Sequence, residues 1–167
     1  NAGPLAGIRV VEFAQFVTGP YAAQILGDLG AEVIKVERPG TGDPSRAWGR
    51  DGSSPWFDAH NRNKRSITLD LSEPGSQFVA EKLLASADVV IQNFRPGVAE
   101  RLGLGWARAH QLNQRLIFCS VSGFGSVGPA TQHPSFDTVG QAASGLLSLL
   151  ASPERPQPIG APLSDTV

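Results

Sequence analysis

Arginine, asparagine and phenylalanine just past the end of an apolar run can hold a phosphate, an amide and a base, and this sequence places them so. "VIKVERPG" puts Arg38 beyond one β-branched run, and "VVIQNFRPG" puts Asn93, Phe94 and Arg95 beyond another. "AERLG" adds Arg101 a few residues on. A guanidinium grips phosphate through paired hydrogen bonds, Phe94 can stack on a base, and the Asn93 amide can bond a base or an amide chain. Each also has an ordinary reading. Taken singly, Arg38 and Arg101 are better read as strand-end or helix-end residues and Phe94 as core. Near the end of the chain, Ser164-Asp165 after Pro162 reads locally as the N-cap of a helix.

Other chemistries fit less well. Gly123-Phe124-Gly125-Ser126-Val127-Gly128 matches the spacing of a dinucleotide-binding turn and follows a strand. Such a turn must open a helix at once, with an acidic residue roughly 20 positions on. Pro129 and "ATQHPS" follow instead, so a flexible Gly-rich loop is the better reading. There is no G-x-S-x-G elbow. His60, His110 and His133 are far apart and Cys119 lies mid-strand, so no metal-ligand cluster is expected. His60 and His110 read as surface or helix-end residues, and His133 as part of a surface loop.

Positioning these residues requires alternating strands and helices. "IRVVEF" (Ile8–Phe13), "EVIKVE" (Glu32–Glu37), "SITLDL" (Ser66–Leu71), "ADVVIQNF" (Ala87–Phe94) and "RLIFCSVSGFG" (Arg115–Gly125) read as strands. A helix is expected from Gly19-Pro20, with the proline in first position, to the stop at Gly30. Others are expected over Glu73–Ser86, after "RPG", and over Phe136–Ala151, where Val139, Ala143, Leu146, Leu147 and Leu150 share a face. Residues 38–64 read as one long loop, whose Trp48, Trp56 and Phe57 argue for function. The alternation predicts an α/β fold: a Rossmann-like parallel sheet with helices on both faces and a ligand at the carboxyl ends of the strands.

The chain has 167 residues, 41% hydrophobic and 17% charged, with net charge -1. That is enough for one domain with a core and is too apolar for disorder. Mixed charge gives no general attraction to nucleic acid or an anionic membrane. The single cysteine leans towards a reducing compartment, and the opening "NAGPLAGIRV" lacks a secretory pattern, Asn1-Ala2 reading as a cloning remnant. The stretch Val139–Ala151 is too short to span a bilayer. A cytoplasmic soluble protein is expected.

Six stretches together resemble the class III CoA-transferases, the family of formyl-CoA transferase and carnitine CoA-transferase. They are "PLAGIRVVEFAQFVTGPYAAQILGDLGAEVIKVERPGTGD", "NRNKRSITLDL", "ADVVIQNFRPGVAERLGLG", "SVSGFGSVGP", "FDTVGQAASGL" and "PIGAPLSDTV", spanning Pro4 to Val167. The resemblance implies that Asp165, five residues after Gly160, is the catalytic nucleophile. It implies a CoA site at Phe16, Thr18, Arg38, Leu69, Asn93, Phe94 and Arg101, and a substrate pocket at Val17, Trp48, Phe136 and Asp137. Coenzyme A and acyl-CoA enter as substrates, with a carboxylic acid as acceptor and no tightly bound cofactor, metal, nucleic acid or membrane. It further implies that residues 1–167 are the N-terminal part of the large CoA-binding domain of an interlocked homodimer, lacking the second domain and a returning C-terminal segment.

Departures narrow the activity. Val17 stands where formyl-CoA transferase has glutamine, and Ser72, Ser122 and Pro134 stand where it has lysines, which argues against formyl-CoA and oxalate. The related α-methylacyl-CoA racemases need a histidine at the position of Phe136 to deprotonate carbon, so epimerisation is the weaker alternative. A non-catalytic CoA-binding fragment is the third.

Overall fold

Val- and Ile-rich runs that alternate with helix-forming sequence pair in parallel, because each helix carries the chain back to the start of the next strand. The computed structural model describes residues 3–50, 54–150, 152 and 154–166. The chain folds as two compact units, Asn1–Val121 and Ser122–Val167. In the first, β1 (Arg9–Glu12), β2 (Glu32–Glu37), β3 (Lys64–Thr68), β4 (Val89–Gln92) and β5 (Ile117–Ser120) form a parallel sheet. Its order is β3-β2-β1-β4-β5. The expected α/β, Rossmann-like class is therefore the observed one.

Alternation along each strand sends side chains to opposite faces. Val10, Val33 and Ile91 bury against Ala23 of α1 (Thr18–Asp28). Val11, Val36 and Val90 bury on the other face with Ala80 and Leu84 of α3 (Pro74–Ser86). Ala109 of α5 (Trp106–Leu112), a helix not read from the sequence, joins that cluster. Helix α1 begins at Thr18, so Pro20 is its third residue rather than its first. That position tolerates proline equally, because the first four helical N–H groups have no intrahelical partner.

Residues 38–64 are not one loop. Asp43 accepts from the Ser45 N–H to start a 3-10 turn, Pro44–Trp48. The Ser54 hydroxyl accepts from the Phe57 N–H to start α2 (Pro55–Asn61). Glycines and prolines hid both, yet a side-chain cap followed by proline is a strong local start signal. A short α4 (Val98–Arg101) follows the "RPG" turn as expected.

In the second unit, residues 122–136 hold turns and bends but no helix, which agrees with the loop reading of the Gly-rich run. The helix expected over Phe136–Ala151 is two helices, α6 (Asp137–Ala143) and α7 (Leu146–Leu150). Gly145, at φ 81°, turns the chain between them. Left-handed backbone costs glycine little, so it breaks a helix that the apolar spacing alone would continue. Ala151 lies outside the described residues. A last helix, α8 (Leu163–Thr166), carries Asp165. Among the described residues no helix is long and apolar enough to cross a membrane.

Candidate CoA site and nucleophile

Strands β3, β2, β1 and β4 are neighbours, so the segments just past their carboxyl ends form one row in the first unit: Leu69, Arg38, the 13–18 loop, then Asn93 and Phe94. The chain leaves β1 and β4 in opposite directions, and ligands of such sheets bind at that divergence. Asn93 spans it. Its Oδ1 accepts from the Gln15 N–H at 2.9 Å and its Nδ2 donates to the Gln15 carbonyl at 2.7 Å. The amide expected to meet a ligand is instead locking the β1–α1 loop. That loop is tight: a Cβ on Gly19 would lie 2.2 Å from the Ala14 Cβ.

Phe16 takes φ 68°, a left-handed conformation that costs a bulky residue free energy and persists where its surroundings impose it. Its N–H donates to Asp43 Oδ1 at 3.2 Å, and its ring stacks on Trp48 at 5.6 Å and 28°. Phe16 and Trp48, expected separately as CoA and reacting-end residues, are thus one aromatic platform. It continues edge-on to Trp56, whose plane is parallel to that of His60. His60 does end a helix, but it is buried, with Nδ1 2.8 Å from the Trp56 carbonyl. The helix-end reading holds, but the side chain is covered rather than solvated, because its ring packs between Trp56 of its own helix and the edge of Tyr21 on α1. His110 is exposed against Trp106 on α5, and exposed His133 meets Phe124 edge-on.

The remaining residues divide between core and surface. Val17 is buried at the N-cap of α1, and Thr18, the first residue of α1, is half-buried. Leu69 and Phe94 are half-buried and pack on the core cluster. The Leu69 N–H donates to the Glu37 carbonyl at 2.9 Å and the Phe94 N–H to Gln92 Oε1 at 2.8 Å. Arg38 is exposed near Asp70, whose carboxyl is held below its ordinary value mainly by the hydroxyl and N–H of Ser72, Arg38 contributing less. Arg101 is exposed at the end of α4 and lies over Gly97.

Beneath this row is a buried ionic cluster that sequence reasoning missed. Register pairs Glu12 on β1 with Lys35 on β2. Lys35 Nζ lies 2.7 Å from Glu12 Oε1 and 2.8 Å from Asp43 Oδ2, and donates to the Ala14 carbonyl at 2.9 Å. Lys64 Nζ lies 2.8 Å from Glu12 Oε2 and donates to Pro20 O and Asn61 Oδ1. Glu12 Oε2 and Asp43 Oδ2 meet their ammonium groups as ion pairs without aligned hydrogen bonds. Burial pushes the Asp43 carboxyl up, but the Lys35 charge and the Ser45 bonds outweigh it and hold it below its ordinary value. Burial takes Lys64 down to about 8 against the opposing charge of Glu12. The missed signal was charge inside buried strands, in "VVEF" and "VIKV".

Glu37 extends the cluster. Its buried carboxylate accepts from Arg46 at 2.7 and 2.8 Å, from Ser66 at 2.7 Å and from the Asp43 N–H at 3.0 Å. Burial raises its pKa, yet these bonds overcome that and hold it at about 2, against 4.5 ordinarily. A lowered carboxylate stabilises fully above its unfolded value and loses that stabilisation as pH falls towards its folded one. The native state should therefore lose about 2 kcal/mol between pH 4.5 and 2 from this group, allowing for screening of the half-exposed Arg46. Acid unfolding followed by circular dichroism should show a shallower pH slope there for Glu37→Gln. An unchanged slope would reject the assignment.

The second unit places Asp137 and Asp165 together. Asp137 Oδ1 accepts from the Ser164 N–H at 2.7 Å, the Ser164 hydroxyl at 2.8 Å and the Asp165 N–H at 3.3 Å. Ser164 and Asp165 are thus inside the first turn of α8, and its cap comes from α6 rather than from either of them. Locally the pair resembled a cap because the true acceptor is distant in sequence. Asp165 is half-buried, and Phe136, 62% exposed, holds the N-cap position of α6. Gln141, fully buried, donates to Asp137 Oδ2. Among the described residues no three His, Cys, Asp or Glu side chains gather as a metal site.

The first unit thus carries a row of loops at the carboxyl ends of its parallel strands, and the second an aspartate whose backbone N–H is held by Asp137. The model of CoA-transferase family III matches residues 5–167, and the chain belongs to that family. Succinyl-CoA–D-citramalate CoA-transferase of Chloroflexus aurantiacus is 45% identical over 168 residues, covering 98% of this chain and 42% of that protein. Succinate–glutarate CoA-transferase of Agrobacterium fabrum is 41% identical over 172 residues, covering 97% and 43%. The crystal structure of a CAIB/BAIF family protein from Brucella suis matches with TM-score 0.92 and 41% identity, over 99% of this chain and 46% of that one. The chain thus spans less than half the length of these relatives.

Proposed function

We propose that the complete protein transfers coenzyme A from an acyl-CoA thioester to a carboxylic acid, with Asp165 as covalent nucleophile. The observation that carries this reading is the family match over residues 5–167. The backbone of α8 supports it, since Asp137 holds the Ser164 and Asp165 N–H groups and so fixes the turn from which the nucleophile projects. Both curated relatives carry succinyl-CoA or succinate in their names, so succinyl-CoA is the donor to test first and dicarboxylic acids the acceptors.

The chemistry proposed is carboxylate nucleophilic catalysis. An Asp165 oxygen attacks the thioester carbon, the C–S bond breaks, and CoA thiolate leaves a mixed anhydride. The thiolate attacks the aspartyl carbon of that anhydride and releases the donor acid as carboxylate, leaving an aspartyl-CoA thioester. The acceptor carboxylate attacks this thioester carbon and expels the thiolate, giving a second mixed anhydride. The thiolate then attacks the acceptor's carbonyl carbon, forms the new C–S bond and releases the Asp165 carboxylate. No electrons are gained or lost, and no proton is consumed. Backbone N–H groups of the Gly-rich loops would stabilise the developing oxyanion. Phe136 offers no base for removing a proton from carbon, which disfavours epimerisation.

CoA itself is assigned to the row at the carboxyl ends of the strands: the backbone of Phe16 and Thr18, with Leu69, Phe94, Arg38 and Arg101. Asn93 contributes by holding Gln15; Val17 and Trp48 in the first unit, and Phe136 and Asp137 in the second, are assigned to the substrate. Residues 1–167 are read as the N-terminal part of the large domain of an interlocked homodimer acting in the cytoplasm. Arg38→Ala and Arg101→Ala should each weaken CoA binding by about 1–3 kcal/mol through loss of charged hydrogen bonds. Calorimetric titration with CoA measures this, and unchanged affinity in both variants returns the two arginines to a surface role.

A further inference from the structure

We infer that Gln141 is a positioning residue for Asp165, acting through Asp137 and through the strand of chain that enters α8. The inference rests on the reading of Asp165 as nucleophile. Gln141 is fully buried on α6, and both ends of its amide are used. Its Nε2 donates to Asp137 Oδ2 and, at 3.1 Å, to the Ala161 carbonyl, while its Oε1 accepts from the Ile159 N–H at 3.1 Å. An amide has two N–H donors and a carbonyl, and here each meets a polar group. One side chain therefore fixes the segment leading into α8 and the carboxylate that caps α8.

The arrangement leaves α8 little freedom. Asp137 offers Oδ2 to Gln141 and Oδ1 to Ser164 and Asp165, so turning its carboxylate would break bonds at both oxygens. A Cβ on Gly140, beside Gln141, would lie 2.6 Å from Ser164 Oγ, so α6 and α8 are in direct contact. The position also calls for an amide rather than an acid. A glutamate at 141 would face the Asp137 carboxylate at hydrogen-bond distance, and the two like charges would repel until one carboxyl takes up a proton. The other titratable group on the elements packed against α6 is Asp165 on α8. Helix α7 (Leu146–Leu150) carries none, nor does the 159–161 segment.

The test uses the complete enzyme and two variants close in size to glutamine, Gln141→Glu and Gln141→Met. With succinyl-CoA as donor and succinate or glutarate as acceptor, both should lose about 100-fold in kcat at neutral pH with KM for the thioester within about threefold of wild type. Gln141→Glu should then recover at least tenfold relative to wild type as pH is lowered towards 5, because its protonated carboxyl again donates to Asp137. Gln141→Met should show no such recovery. Full activity in both variants overturns the inference. So does an equal, pH-independent loss in both, or failure of both to fold, since either makes Gln141 a residue of general stability. Hydroxylamine trapping on wild type separates the two readings: absence of label at Asp165 during turnover rejects the nucleophile, whatever the Gln141 variants do.

Discussion

Asp165→Asn is expected to reduce CoA transfer by the complete enzyme by on the order of 10⁴-fold or more. Asparagine matches aspartate in size and can keep the N–H of residue 165 on Asp137, so the variant should fold as wild type does. It cannot form an anhydride or an aspartyl thioester, because an amide nitrogen is a poor nucleophile and a poor exchange partner for thiolate. Asp165→Ala should be as inactive. CoA affinity, assigned to the carboxyl ends of the strands in the first unit, should hold within a few-fold in both. Mass spectrometry after hydroxylamine treatment during turnover should find a hydroxamate on Asp165 in wild type and none in either variant. Residual transfer above about 1% of wild type in Asp165→Asn would reject the role.

The second large effect is on stability. Removing one partner of a buried ion pair leaves an uncompensated charge, at about 3–5 kcal/mol. Lys35→Ala does this twice, because one ammonium sits between Glu12 Oε1 and Asp43 Oδ2, all three side chains being buried. Urea unfolding should therefore show a loss in the upper part of that range. Adding Asp43→Asn should recover part of it: one stranded carboxylate is gone, and Lys64 still accompanies Glu12. The two changes should be clearly non-additive in a double-mutant cycle, as expected for groups in one network. A loss of under about 1 kcal/mol for Lys35→Ala would mean that water reaches the cluster and the pairs contribute little. Because Asp43 also holds the Phe16 N–H, the single variant should weaken CoA binding along with the fold.

Much of the architecture is legible locally. The Val and Ile runs around Val10, Val33 and Val90, separated by helix-forming stretches, imply parallel strands with right-handed crossovers, since the pattern buries no other way. That the ends of β1, β2 and β4 carry the residues of interest comes from the same reasoning, and the motifs around them, taken together, point to the family. Where the reading failed locally, the information was present but weak: Asp43-Pro44 and Ser54-Pro55 start helical turns inside an apparent loop, and Gly145 stops a helix.

Partner choice was decided only by the tertiary structure. Nothing local says that Glu12 stands opposite Lys35, that Lys64 arrives from β3, or that the Asn93 amide turns inward to Gln15. Nor does sequence spacing reveal that Asp137 caps the helix of Asp165, or that Gln141 ties both ends of that arrangement. Side-chain type follows from burial and period, which neighbours along the chain determine. Hydrogen-bond and ion-pair partners follow from register and from the packing of distant elements, and a buried polar group must find whichever partner that packing supplies.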